Sequence, residues 1–128
     1  MDRTVVRVAQ TSLSLAQVCD LLDARVGWAP DLSVQVNAVG AADLMSDVLA
    51  FGRPGMLLLT GLNAPQTVRT AAVTDLAGVV LVRGRVPGED VLVMAKQAGL
   101  PVLWTSLTMF EASGRLYGAL FGAGRTDG

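Results

Sequence analysis

Three short apolar runs recur at equal intervals: Met56-Leu57-Leu58-Leu59, Val79-Val80-Leu81-Val82 and Val102-Leu103-Trp104. Their first residues, 56, 79 and 102, are 23 positions apart each time. Runs that are apolar without alternation are typical of strands covered on both faces. The intervals contain helix-start signals, such as Pro65 and the acidic pair Glu89-Asp90. The spacing predicts strand–helix–strand units that form a largely parallel sheet of four to five strands.

The sequence before residue 56 predicts two further helices and one strand. Apolar residues at helical spacing predict a helix that begins after the N-cap Ser14 and ends at Gly27: Leu15, Val18, Cys19, Leu22 and Val26. Alternation over residues 32–36 predicts a strand, and the small residues 37–42 predict a connection. We expect the second helix to bury Leu44, Met45, Val48 and Leu49.

The composition indicates one packed domain. The chain has 128 residues, of which 52% are apolar and 16% are charged. Ten basic and eleven acidic residues leave a formal charge of −1, which excludes recruitment of nucleic acid or an anionic membrane by a field of one sign. The apolar runs are too short to span a membrane. We expect a single domain over 1–128, with 1–10 as an arm or edge strand and 122–128 as a frayed tail.

The residue types argue against catalysis. The chain has no histidine, one cysteine and one lysine, so neither a Ser–His nor a Cys–His pair can form. Cys19 lies on the apolar face of the first predicted helix and is expected to be a buried structural thiol. A single cysteine cannot form an internal disulfide, which fits a cytoplasmic location. We expect no enzymatic activity, no metal and no cofactor.

Polar residues follow each of the three apolar runs. Thr60, Arg83 and Ser106 stand where the strands end, and the turns that follow contain Gly61, Asn63 and Gly84. Parallel strands open their carboxyl ends on one edge of a sheet, where ligands usually bind. The pattern fits a site for a small anion or a nucleotide, with Arg83 as the main contact. It also fits ordinary turns and caps, with Asn63 as the cap of the helix that begins at Pro65.

Two carboxylates, Asp43 and Asp47, stand four positions apart at the start of the second predicted helix. They fit a solvated helix start in which Asp43 is the N-cap. They also fit a polar group at the rim of the strand-edge site, which could contact a ligand or a partner.

The last predicted helix is apolar nearly all round. Leu116 and Leu120 lie on one side, and Phe110, Tyr117 and Phe121 lie on another. Glu111 and Arg115 are expected to form an exposed ion pair, and Thr108 with Glu111 matches a capping box. A helix of this kind is covered on more than one side, so the sequence predicts a homodimer.

Several ordered segments resemble the DRTGG-domain family, and most of all its small stand-alone members. They are Gly40–Ala50 (Gly-Ala-Ala-Asp-Leu-Met-Ser-Asp-Val-Leu-Ala), Arg53–Gln66, Val82-Arg83-Gly84 and Leu107–Tyr117. The eponymous Asp-Arg-Thr-Gly-Gly string does not occur, and Asn37-Ala38-Val39-Gly40 stands near its place.

The resemblance implies a three-layer α/β/α sandwich, similar to the N-terminal domain of HPr kinase/phosphorylase. It implies a regulatory or assembly module without chemistry of its own, and for stand-alone members it suggests a partner in a hydrogenase or redox system. Our first hypothesis is a non-catalytic, ligand-sensing homodimer that binds a small anion or nucleotide. The alternative is a structural adaptor that binds a protein partner and no small molecule. Convergence of Thr60, Asn63, Arg83 and Ser106 would favour the first.

Overall fold

The computed structural model describes residues 12–122. Within that range the strands are β1 (Leu13–Ser14), β2 (Arg25–Trp28), β3 (Gln35–Val36), β4 (Ala38–Ala41), β5 (Met56–Thr60), β6 (Gly78–Leu81) and β7 (Val102–Trp104). The helices are α1 (Leu15–Leu22), α2 (Met45–Phe51), α3 (Pro65–Val73), α4 (Glu89–Ala98) and α5 (Met109–Tyr117), and one π-helical turn (Gly118–Gly122) continues α5. The predicted arm and the predicted tail lie outside the described residues, apart from Gly122.

The main sheet has five strands in the order β2–β7–β6–β5–β4. Strands β4 to β7 run parallel, and β2 pairs antiparallel with β7 at one edge. The three apolar runs form β5, β6 and β7, which confirms the largely parallel sheet. Strands β1 and β3 form a separate antiparallel pair.

Helices cover both faces of the sheet. Leu58 and Leu81 point to a core layer shared with α2, α3 and α4. Leu57 and Leu59, on the opposite face of β5, pack in a layer shared with α1 and α5. The alternation places buried residues on both faces of one strand, which confirms the α/β/α sandwich.

The predicted first helix is too long. Its start is correct, because Ser14 and Gln17 form a capping box. The helix ends at Leu22, and Asp23 adopts a left-handed conformation with φ 52°. Val26 therefore lies in β2, which pairs with β7. That pairing is a long-range contact, and it overrides the local helical spacing.

The segment predicted as a connection is β4, which pairs with β5 in parallel. Its small residues are needed for packing. A Cβ on Gly40 would lie 2.6 Å from Cε1 of Phe51 and 2.9 Å from Cε of Met56, so α2 approaches β4 closely only because residue 40 is glycine. The strand predicted over residues 32–36 is reduced to the two residues of β3.

Helix α2 buries a narrower face than the sequence predicts. Met45 and Val48 are buried, whereas Leu44 and Leu49 are 61% and 56% exposed. The N-cap position is occupied by Leu44 without a side-chain hydrogen bond, and not by Asp43. A helix of seven residues covers the sheet with a single stripe, so the flanking leucines face solvent.

Helix α5 begins with the predicted capping box between Thr108 and Glu111. Hydrogen bonds from the backbone N–H and hydroxyl of Thr108 lower the pKa of Glu111, and the Arg115 charge lowers it further. The Arg115 guanidinium acts on Glu111 through its charge and makes its direct contacts with the end of α1, in place of the predicted ion pair. The Arg115 Nη1 donates to the Leu21 carbonyl at 3.0 Å and lies 3.6 Å from Oδ2 of Asp23.

Candidate functional site

The carboxyl ends of β5, β6 and β7 lie side by side. Thr60 is level with Leu81, and Leu81 is level with Trp104. The loop after β6 is tied to the loop after β7, because the Arg83 N–H donates to the Leu107 carbonyl at 2.7 Å and the Gly84 N–H donates to Thr105 at 2.8 Å. The loops that follow β5, β6 and β7 therefore meet at one edge of the sheet.

Asp43 reaches this edge from the segment between β4 and α2. Its Oδ1 accepts the backbone N–H of Gly61 at 2.7 Å and the hydroxyl of Thr60 at 3.2 Å. Thr60 is fully buried, and its hydroxyl oxygen also accepts the N–H of Leu62 at 3.1 Å. Thr60 thus shapes the turn and holds the carboxylate, and does not itself face solvent.

Arg83 lies across the loop that follows β5. Its φ of 67° and the φ of 71° at Gly84 turn the chain sharply at the end of β6. The guanidinium rests on Gly61, where the Nη2 and Cζ atoms of Arg83 occupy the space of a side chain. Its Nη1 is 3.9 Å from Oδ2 of Asp43, and the two side chains are 43% and 53% exposed. An exposed pair at this distance contributes little to stability. Because 3.9 Å is longer than a hydrogen bond, the contact leaves the guanidinium N–H donors of Arg83 available.

Asn63 has a different role from the predicted helix cap. Ala64 is the N-cap of α3, without a side-chain hydrogen bond. The Asn63 side chain donates to the Val86 carbonyl at 2.7 Å and accepts the N–H of Gly88 at 3.1 Å. It therefore fastens the loop after β5 to the loop before α4, because both of its amide atoms are used.

The eight predicted site residues divide into three groups. Asp43, Thr60, Gly61 and Arg83 form one contact cluster. Gly84 lies beside Ser106, whose side chain is exposed, and Asn63 links the neighbouring loops. Asp47 is exposed on the first turn of α2, outside the cluster.

Thr105, which directly follows β7, is outside the set of predicted site residues. Its buried hydroxyl donates to the Leu22 carbonyl at the end of α1 at 2.7 Å and accepts the N–H of Leu107 at 3.2 Å. It therefore fixes the loop that carries Ser106. A threonine directly after a buried strand was the available signal.

Outside this edge, the structure gives no sign of a nucleophile or a metal centre among residues 12–122. Burial raises the pKa of the Cys19 thiol, and the Asp20 carboxylate raises it further. Within residues 12–122, no three acidic or cysteine side chains lie close enough together to hold a metal ion. In the same range, no helix is long and apolar enough to cross a membrane.

Comparison with known proteins gives a structural relative. The relative is the CBS and DRTGG domains of the regulatory region of Clostridium perfringens pyrophosphatase, in complex with the activator diadenosine tetraphosphate. The TM-score is 0.71 at 18% sequence identity. The chain has a DRTGG-like fold. No family model and no curated protein matches the sequence.

The similarity covers 84% of this chain and 47% of the pyrophosphatase chain. This chain therefore spans about half the length of that relative. At this level of identity the comparison confirms the fold that the resemblance implied.

Proposed function

We propose that this protein is a non-catalytic regulatory domain that senses a small anion, such as the phosphate groups of a nucleotide, at the carboxyl edge of its sheet. The observation that carries the proposal is the placement of Arg83. Its guanidinium is half exposed and lies on Gly61, and within residues 12–122 its one ion pair is the 3.9 Å contact to Asp43. A planar guanidinium in this state can bind a phosphate or carboxylate through two hydrogen bonds.

Two further observations support a role that is regulatory and not catalytic. The structural relative is a regulatory region bound to a nucleotide activator, and regulation is the property that we carry over. The thiol of Cys19 has a raised pKa, which disfavours the thiolate needed for nucleophilic catalysis. A cytoplasmic location stays a prediction.

The binding test uses inorganic phosphate, ATP and diadenosine tetraphosphate as probes in calorimetry and thermal melts. An anion present at 100 times its dissociation constant should add roughly 2.7 kcal/mol of stability. Arg83→Ala should weaken binding between about tenfold and a hundredfold, since a hydrogen bond to a charged group contributes roughly 1.5–3 kcal/mol.

Arg53→Ala is the matched control for charge, because Arg53 is exposed and precedes β5, at the amino edge of the sheet. It should bind each probe as the unmodified protein does. Equal losses in both variants, or no binding of any probe by the unmodified protein, would contradict the proposal.

We also propose that the protein acts as a homodimer through the exposed face of α5. Phe110 is 88% exposed at the start of this helix. Apart from the backbone of the helix itself, a Cβ on Gly114 or Gly118 would meet no atom of residues 12–122 within 4 Å, so a second helix could approach there closely. A large aromatic side chain in this position gains stability when a partner covers it.

Light scattering should give a dimer mass at tens of micromolar protein, and Phe110→Glu should shift it to the monomer mass. Val73→Glu is the matched control, because Val73 is also highly exposed but lies at the end of α3. A monomer mass for the unmodified protein would contradict the dimer.

A structural adaptor is the second candidate, and one observation favours it. An apolar groove of about 140 Å³ lies between β4 and α5, lined by Val39, Ala41, Leu116 and Leu120 among others. A protein segment could bury these side chains without any anion. If no anion probe binds to the folded protein, the adaptor is favoured, because the apolar groove between β4 and α5 does not depend on an anion.

A further inference from the structure

We propose that Asp43 occupies the position of the anion that this edge binds, and acts as a competitor built into the chain. The inference rests on the proposed function, because it assumes that an external anion uses Arg83. It adds that the free protein holds its own carboxylate at the site, and that ligand binding displaces this carboxylate.

The contacts of Asp43 are those that a bound oxyanion would make. One oxygen accepts a backbone N–H, from Gly61 at 2.7 Å, and a hydroxyl, from Thr60 at 3.2 Å. The other oxygen faces the guanidinium of Arg83. Backbone amides, hydroxyls and guanidinium groups are the donors that proteins use for phosphate and carboxylate ligands.

The Asp43 carboxylate can be exchanged for a bound anion. The Asp43 side chain is 53% exposed, so it can leave into solvent without crossing the core. Its contact with Arg83 is 3.9 Å, longer than a charge-assisted hydrogen bond of about 2.7–2.9 Å. A free oxyanion has no backbone to constrain it and can approach the guanidinium more closely. The competing ligand is therefore a compact oxyanion, a terminal phosphoryl or carboxylate group.

Displacement of the Asp43 carboxylate would also change a second surface, at the start of α2. Asp43 directly precedes Leu44, the N-cap of α2, which has no side-chain hydrogen bond of its own. The contact of Asp43 with Gly61 therefore helps to fix the start of α2 against β5. Loss of that contact frees the helix start that carries the exposed Leu44 and Leu49. The exchange would thus couple anion binding to an apolar surface.

The test compares phosphate and ATP binding by the full chain with Asp43→Ala, Asp43→Asn and Asp47→Asn, at one ionic strength. Asp43→Ala should bind about tenfold tighter than the unmodified protein, because the competitor is removed. Asp43→Asn should gain less, since its amide oxygen still accepts the Gly61 N–H. Asp47→Asn removes the same charge one turn later on α2 and should bind as the unmodified protein does.

The outcomes separate this inference from the proposed function. Equal or weaker binding by both Asp43 variants would overturn the inference and leave anion sensing intact. If only Asp43→Ala binds, and Asp43→Ala/Arg83→Ala does not, Asp43 blocks the site permanently, which overturns both the exchange and the proposed sensing function. A gain in Asp47→Asn equal to that in Asp43→Asn would overturn it in favour of a general charge effect. If Asp43→Ala fails to fold, Asp43→Asn decides between these results.

Discussion

Truncation of either Leu57 or Leu58 to alanine is expected to lower the free energy of unfolding by about 3 kcal/mol, within the range of roughly 2–5 kcal/mol for buried leucines. Both side chains are fully buried in the middle of the sheet. They are neighbours on β5, so they point to opposite faces. One contributes to the layer under α1 and α5, and the other to the layer under α2, α3 and α4.

The losses of unfolding free energy in Leu57→Ala and Leu58→Ala together test the three-layer architecture. A sheet with one wet face would tolerate one of the two truncations. Leu49→Ala is the control, because Leu49 is mostly exposed and its loss should change stability within about 0.5 kcal/mol. Urea unfolding of the three variants measures the effect. A small cost at either Leu57 or Leu58, or a large cost at Leu49, would contradict the assignment of layers.

The sequence predicts those parts of the fold that depend on local pattern. The parallel strands β5, β6 and β7 are buried on both faces, and burial of that kind leaves continuous apolar runs. The N-cap Ser14 of α1 and the capping box of α5 each depend on at most four consecutive residues, so both are visible in the sequence.

The predictions that were wrong concern segments whose structure depends on contacts between distant residues. Strand β4 consists of alanine, valine and glycine, and it forms because β5 supplies its hydrogen-bond partners. Strand β2 forms in the same way against β7, although Val26 continues the helical spacing of α1. Local propensity is weak in these segments, and the neighbouring strand decides their structure.

The same distinction between local pattern and distant contacts applies to the candidate site. The position of Thr60, Arg83 and Ser106 at one edge follows from three strands of equal spacing. The use of Asp43 does not, because its partners Thr60 and Gly61 are 17 and 18 residues away along the chain. A carboxylate just before a helix has the sequence signature of a cap, and the hydrogen bonds to Thr60 and Gly61 at the end of β5 redirect it.

Gly61→Ala is expected to weaken anion binding as much as Arg83→Ala does, between about tenfold and a hundredfold. The added Cβ would stand where the Nη2 and Cζ atoms of Arg83 lie, so the guanidinium must leave its place above the turn. The backbone of Gly61 does not require a positive φ, and the displaced atoms are the far end of a flexible side chain. The free energy of unfolding should therefore fall by less than about 1 kcal/mol.

The double variant Gly61→Ala/Arg83→Ala makes this prediction specific. If the methyl group acts only by moving the guanidinium, the double variant binds no more weakly than Arg83→Ala alone, because one interaction cannot be lost twice. Calorimetry with inorganic phosphate gives the dissociation constants, and thermal melts show that each variant is folded. Independent, additive losses would mean that the added methyl group also obstructs the approach of the anion to the Gly61 N–H, which Asp43 accepts in the free protein. Unchanged binding by Gly61→Ala would mean that the anion does not use Arg83 in the position described, since the two groups cannot share that space.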